Sequence, residues 1–184
     1  PHHRGLPVTS IESAVSAVQA RVGYATKHLE TGRELGLRAD EVFFLASTFK
    51  VPLLVALNKL VDAGRIDPNQ RVELTDADRV PGSSVLKELA AGLHPTVHDL
   101  ATLMIIVSDN TATDLVYGLV GKDFLHSTLD ELGLTNTRIP MTIRELLYSI
   151  CGMDPANPDH TYAEADAVLN QSRIWPPVHI STPS

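Results

Sequence analysis

Ser47-Thr48-Phe49-Lys50 stands between two apolar runs, and that placement constrains this chain more than any other stretch in it. Val42-Phe43-Phe44-Leu45-Ala46 leads in, and Val51-Pro52-Leu53-Leu54-Val55-Ala56-Leu57 leads out towards Gly64. The outgoing run reads as one helix that begins at or just after Ser47. Pro52 is tolerable there only within the first turn or so, and Gly64 supplies the stop. Apolar residues cover nearly the whole circumference, so burial on most sides is expected. Free N–H groups and the helix dipole favour negative charge at such a start. Lys50 lies one turn beyond Ser47, so its ammonium can reach the hydroxyl on the same face. In a water-poor site a lysine has a lowered pKa and can act as a base. Ser-x-x-Lys is then a nucleophile and its base. The plainer alternative makes Ser47 a helix cap and Lys50 a solvated first-turn residue, although lysine is rarely inside without a partner.

The 184 residues suffice for one domain or two small ones. A hydrophobic content of 43% and a mean hydropathy of +0.03 fit a globular protein. The net charge of −7, without a basic cluster interleaved with aromatics, argues against nucleic-acid binding. No apolar run reaches membrane-spanning length. Cys151 is the single cysteine, so no internal disulfide forms. No secretory signal peptide is read, a feature that mature exported proteins share.

Thr9 or Ser10 caps a first expected helix, with Ile11, Val15 and Val18 as its apolar stripe, reaching about Gln19. Arg21 to Lys27 alternates like a strand. A turn at Glu30-Thr31-Gly32-Arg33 and a returning strand, Glu34 to Arg38, complete a hairpin. Beyond Gly64, Val72-Glu73-Leu74 is a short extended piece and Arg79 to Ser84 a loop. Val85 to Ala91 reads as a short helix, and Thr96 caps a helix over Val97 to Val107. Further helices are expected from Thr111 to about Leu119, from Lys122 to Leu132, from Thr142 to Ile150 and from Tyr162 to Ser172. Pro155 and Pro158 make Asp154 to His160 irregular, and Pro176-Pro177 breaks the chain again. Ser181-Thr182-Pro183 looks like a helix start.

The second chemical element is Ser108-Asp109-Asn110, which follows the apolar helix ending at Val107. A serine there can relay a proton, and an asparagine offers a carbonyl and an amide to a substrate amide. Asp109 most simply serves backbone N–H groups of the turn. An ordinary polar helix-terminating turn explains the triplet equally well when it is taken alone.

Together the two elements, 61 positions apart, resemble the class A β-lactamase and penicillin-binding-protein family, which carries Ser-x-x-Lys and Ser-Asp-Asn. Ala20-Arg21-Val22-Gly23-Tyr24, Val61-Asp62-Ala63-Gly64 and Ser108-Asp109-Asn110-Thr111-Ala112 extend the resemblance over residues 10 to 138. It implies an α/β (α+β) serine-hydrolase fold: an all-helical subdomain plus an antiparallel sheet covered by helices. Residues 1–50 would belong to the α/β part, and residues 51–184 to the helical subdomain with its Pro-rich loop 154–184. By the same resemblance Ser47 is the nucleophile that becomes acylated, and its backbone N–H is half of an oxyanion hole. Lys50 helps to deprotonate it, Ser108 passes a proton to the leaving nitrogen, and Asn110 binds the substrate's side-chain amide. The implied substrate is a β-lactam or another acyl compound, without cofactor or metal, and the implied location is periplasmic or secreted.

Two departures from the family stand out. Its deacylating glutamate falls near Arg144 and Glu145, or at Ile143 when Thr137-Arg138 is aligned with the family's Thr-Arg pair. Glu145 also completes a capping box with Thr142, and that reading is preferred. The family's Lys-Thr-Gly strand, the other half of its oxyanion hole and its last helix are not in this sequence. A C-terminal fragment of the same protein is therefore an expected partner. An esterase, peptidase or acyltransferase of the same fold, and a non-hydrolytic penicillin-binding sensor, are the rival readings. The remaining candidates carry little. Pro95 separates His94 from the helix of His98, which disfavours a metal pair, and Cys151 reads as a small apolar residue near a helix end. Trp175 reads as loop packing, and Ser83 or Ser84 as a rim contact of the site.

Overall fold

The computed structural model describes residues 8–16, 18–157 and 159–171. The chain divides into two compact units, Pro1–Leu45 and Ala46–Ser184. The expectations for Trp175, Pro176-Pro177 and the last four residues lie outside the described residues.

The first unit contains helix α1 (Val8–Ser16) and an antiparallel hairpin of β1 (Tyr24–Lys27) and β2 (Glu34–Leu37). Tyr24 pairs with Leu37 and Lys27 with Glu34. The intervening loop closes through His28 N–H donating to the Arg33 carbonyl at 2.8 Å, with Gly32 at φ 69° where an L side chain is strained. β1 starts later than the alternation predicts. Arg21 is drawn off to Glu41 at 2.5 Å and to the Phe43 ring at 5.0 Å instead of joining the ladder. Gly23 is needed for close approach, since a Cβ there would stand 2.5 Å from that same ring. α1 ends at Ser16, short of Gln19, and Ile11 of its expected apolar stripe is exposed.

The second unit is helical. A single 3-10 turn (Ala46–Phe49) runs into α2 (Lys50–Asp62), followed by α3 (Val97–Ile106), α4 (Asn110–Val120), α5 (Lys122–Glu131), α6 (Ile143–Ile150) and α7 (Tyr162–Asn170). α4 is the hub and packs against α2, α3, α5 and α6. Its Ala112 and Val116 are fully buried among Leu53, Ala56, Leu100, Met104, Leu125 and Leu129. Burial on α2 is confined to Lys50, Leu53, Ala56, Leu57 and Leu60, which share one face. The expectation of burial on most sides is corrected by Val51, which is 60% exposed.

Val72-Glu73-Leu74 is extended as expected and bonds to the stretch before α3, with Val72 N–H on the Pro95 carbonyl at 2.9 Å and Leu74 N–H on the Leu93 carbonyl at 2.8 Å. The helix expected over Val85 to Ala91 reduces to a 3-10 turn, Leu86–Glu88. Its backbone groups serve tertiary partners instead. Asp109 takes the N–H groups of Val85 and Leu86, and Arg79 takes the carbonyls of Lys87 and Leu89.

Candidate active site

The 3-10 turn places Ser47 at the mouth of α2 with its side of the turn open to solvent, while Lys50 at the first helical position is only 2% exposed. Pro52, at the third position of α2, lacks an N–H where none is needed. α3 stops at Ile106, and two residues later Ser108 enters the left-handed region at φ 56°. That conformation costs a non-glycine residue about 1–3 kcal/mol. It turns both oxygens of Ser108 towards one partner. Lys50 Nζ donates to the Ser108 carbonyl at 2.7 Å, to Ser108 Oγ at 2.9 Å and to Asn110 Oδ1 at 3.0 Å. Ser108 Oγ in turn donates to Ser47 Oγ at 3.0 Å. Ala46, immediately before the serine, is also left-handed at φ 47°.

The three groups singled out in the sequence thus form one chain, Ser47–Ser108–Lys50, with Asn110 beside it. The path differs from the direct reach of Lys50 to Ser47 expected from helical spacing. All three ammonium donors are engaged by Ser108 and Asn110, and Ser108 is the bridge. Burial lowers the Lys50 pKa from 10.5 to about 8, against the opposing charges of Asp109 and Asp114. A neutral amine is therefore accessible near neutral pH, and its fraction rises with pH through that value.

Asp109 is fully buried and holds the turn. It accepts from Val85 N–H at 2.6 Å, Leu86 N–H at 2.9 Å, Ala112 N–H at 2.8 Å and Ser84 Oγ at 2.8 Å. It also caps α4. Asn110 is held by its neighbours' carbonyls: its N–H reaches Ser83 at 2.8 Å, and its Nδ2 reaches Pro81 at 2.9 Å. By its chemistry the Asn110 amide can donate once more through Nδ2 and accept once more at Oδ1.

Several supports went unread in the sequence. Asp114 sits one turn beyond Asn110 on α4, a spacing that could have flagged it. Its two oxygens accept from Ile143 N–H and Arg144 N–H, each at 2.8 Å, and so staple α6 to α4. Burial pushes its carboxyl up to about 6 despite those bonds. Thr111 Oγ1 accepts from Val80 N–H at 3.1 Å and lies 3.0 Å from Ser84 Oγ. No local pattern marks Thr111.

Glu145 is engaged in the box that caps α6: Oε2 accepts from Thr142 N–H at 2.8 Å and Thr142 Oγ1 at 3.2 Å. Glu145→Gln keeps one acceptor and should cost at most about 1 kcal/mol, measurable by urea unfolding, because an intact cap is worth roughly that much. A loss of several kcal/mol would show that the charge does more than cap. His94 and His98 are exposed, and among the described residues no group of three His, Cys, Asp or Glu side chains is placed to hold a metal ion. Cys151 closes α6, with Sγ 3.7 Å from the Ala165 carbonyl. No helix among the described residues is long and apolar enough to cross a membrane.

This fold has counterparts among known proteins. Residues 7–172 match the family model described as the β-lactamase enzyme family, and the chain belongs to that family. The chain is 33% identical to a β-lactamase from Sphaerobacter thermophilus, covering 91% of this chain and 63% of that one at a TM-score of 0.71. It is 30% identical to an ancestral class A β-lactamase, over 88% of this chain and 61% of that one, at a TM-score of 0.68. PBP-A is 26% identical, over 88% of this chain and 67% of its own length, at a TM-score of 0.65. The helix-rich unit and the small antiparallel sheet thus have the β-lactamase fold. The chain spans 61–63% of the length of the two β-lactamases named.

Proposed function

We propose that this chain is part of a serine hydrolase in which Ser47 becomes acylated, with a β-lactam amide as the substrate class. The observation that carries the reading is the bonded series from Ser47 through Ser108 to the shielded Lys50 amine. With Lys50 neutral, the series runs in the productive direction: Ser47 gives its proton to Ser108, and Ser108 gives its own to Lys50. Ser47 Oγ then bonds to the substrate carbonyl carbon. On collapse of the tetrahedral intermediate the C–N bond breaks, and the proton returns through Ser108 to the leaving nitrogen. The Ser47 N–H would supply one oxyanion donor, and the spare polar atoms of Asn110 would take the substrate's side-chain amide.

A second reading, a penicillin-binding protein that keeps its acyl group, is favoured by the engagement of Glu145 in the α6 cap. A solved variant of PBP-A, 28% identical to this chain over 86% of it and at a TM-score of 0.67, is described as an acyl-enzyme complex with penicillin G. On either reading, residues 1–50 belong to an α/β part, and the described residues from 51 onward form the helical part. The largely exposed two-stranded hairpin supports this, since such a hairpin alone is marginal. An exported location fits both.

Intact mass of the complete protein after exposure to benzylpenicillin tests the proposal, alongside turnover of a chromogenic cephalosporin. An adduct that disappears in Ser47→Ala is expected. Fast turnover identifies a lactamase, and a persistent adduct identifies the binder. A wild-type protein left unmodified, without turnover, would overturn both.

A further inference from the structure

Among the described residues, the least exposed salt bridge joins two segments 79 positions apart: Lys87 Nζ lies 3.1 Å from Asp166 Oδ1, with side chains 12% and 22% exposed. We propose that this pair is a latch that holds the Pro81–Lys87 loop against Asn110 and thereby sets which acyl side chains the site accepts. The proposal rests on the acylation reading above.

α7 is shaped for this contact. Tyr162, Asp166 and Asn170 lie one turn apart and share a face. The Lys87 ammonium sits 5.9 Å over the Tyr162 ring, and Asn170 Nδ2 donates to Asp166 Oδ2 at 2.8 Å. Asp166 Oδ1 also receives the Gly82 N–H, at 3.5 Å, so the helix touches the loop near both of its ends. Burial alone would lower the Lys87 pKa, but the hydrogen bond and charge of Asp166, with Tyr162 adding to them, raise it. The lysine therefore stays charged and paired at neutral pH. α7 itself is anchored by the fully buried Ala165, whose carbonyl faces Cys151 Sγ.

The other face of the loop grips Asn110. Pro81 and Ser83 supply the carbonyls that fix the Asn110 side chain and backbone. Gly82, at φ 81°, leaves no slack: a Cβ there would lie 3.1 Å from Asn110 Nδ2 and 3.8 Å from Leu147 Cδ1 of α6. Asp109 ties down only Ser84, Val85 and Leu86. At the flanks, the Gly82 N–H and the Lys87 side chain go to Asp166, while the Lys87 backbone is held by Arg79 at its carbonyl and by Ser84 Oγ at its N–H. A shift at those flanks turns the amide that would meet the substrate side chain and loosens its one bond to Lys50, while the Ser47–Ser108 and Ser108–Lys50 bonds do not run through Asn110. Lys87 and Asp166 are thus positioning residues.

The test compares two probes with the same ring system, benzylpenicillin and 6-aminopenicillanic acid, which has no acyl side chain. Second-order rates of Ser47 acylation are measured by intact mass on the complete protein. Lys87→Met and Asp166→Asn should each slow benzylpenicillin about tenfold, since small misplacements of a positioning group cost that much or more. The rate with 6-aminopenicillanic acid should stay within about twofold, because only the amide-binding end has moved. The exchange Lys87→Asp with Asp166→Lys should recover the benzylpenicillin preference and guards against a folding defect in a single variant. An unchanged ratio of the two rates, a parallel fall in both, or an exchange without recovery overturns the latch alone. A wild-type protein acylated by neither probe overturns the acylation reading and the latch with it.

Discussion

Replacing Lys50 with methionine should slow acylation of Ser47 by about 10²–10⁴-fold, the range associated with losing a positioned general base. Methionine nearly matches the volume of the lysine stem and removes the expense of a buried charge. It leaves the Ser108 carbonyl, Ser108 Oγ and Asn110 Oδ1 without their shared donor. The fold should therefore persist, with a modest loss of stability from the orphaned acceptors. Lys50→Arg separates charge from basicity. A guanidinium can still donate, but it cannot accept a proton at any working pH. Both variants should be slow if the amine is the proton acceptor. Single-turnover rates of adduct formation measure this, with circular dichroism reporting the fold. Arginine at the wild-type rate would mean that only a positive charge is required there.

The largest effect on stability should come from Asp109→Ala, at about 3–5 kcal/mol, the usual range for removing one partner of a buried charged network. The carboxylate is fully buried and receives three backbone N–H groups and the Ser84 hydroxyl. Alanine orphans those donors at once, uncaps α4 and frees the segment that leads into the Leu86–Glu88 turn. Loss of its negative charge also removes a force that holds the Lys50 pKa up. Urea unfolding measures the loss. A change below about 1 kcal/mol would mean that water replaces the carboxylate easily, as at an exposed cap.

The elements that could be read in advance were those with local signals. The cap at Thr96, the glycine stops at Gly121 and Gly133 and the Thr142–Glu145 box are chemistry within four residues, and each helix they bound was legible. The hairpin followed from alternation around Gly32. What failed were segments whose backbone groups are held by distant side chains: Val85 to Ala91 by Asp109 and Arg79, and the stretch before β1, where Arg38 takes the Val22 carbonyl. The site shows the same division. Ser47, Lys50, Ser108 and Asn110 carry short motifs, and the structure brings them together. The bridging position of Ser108 was not visible, because it depends on a left-handed backbone at a serine. Thr111 and the Lys87–Asp166 pair act across 31 and 79 positions and leave no local trace, and Asp114, which acts across 29, is marked only by its one-turn spacing from Asn110.

Titrating the Lys50 amine itself is the most direct measurement. In the complete protein with ¹³C-labelled lysine, the Cε resonance lost in Lys50→Met can be followed by NMR as pH rises. A midpoint near 8 is expected for an amine shielded from water and joined to the nucleophile through Ser108. A midpoint at the ordinary lysine value of 10.5 would mean a solvated ammonium, and Ser47 would then have no base at neutral pH.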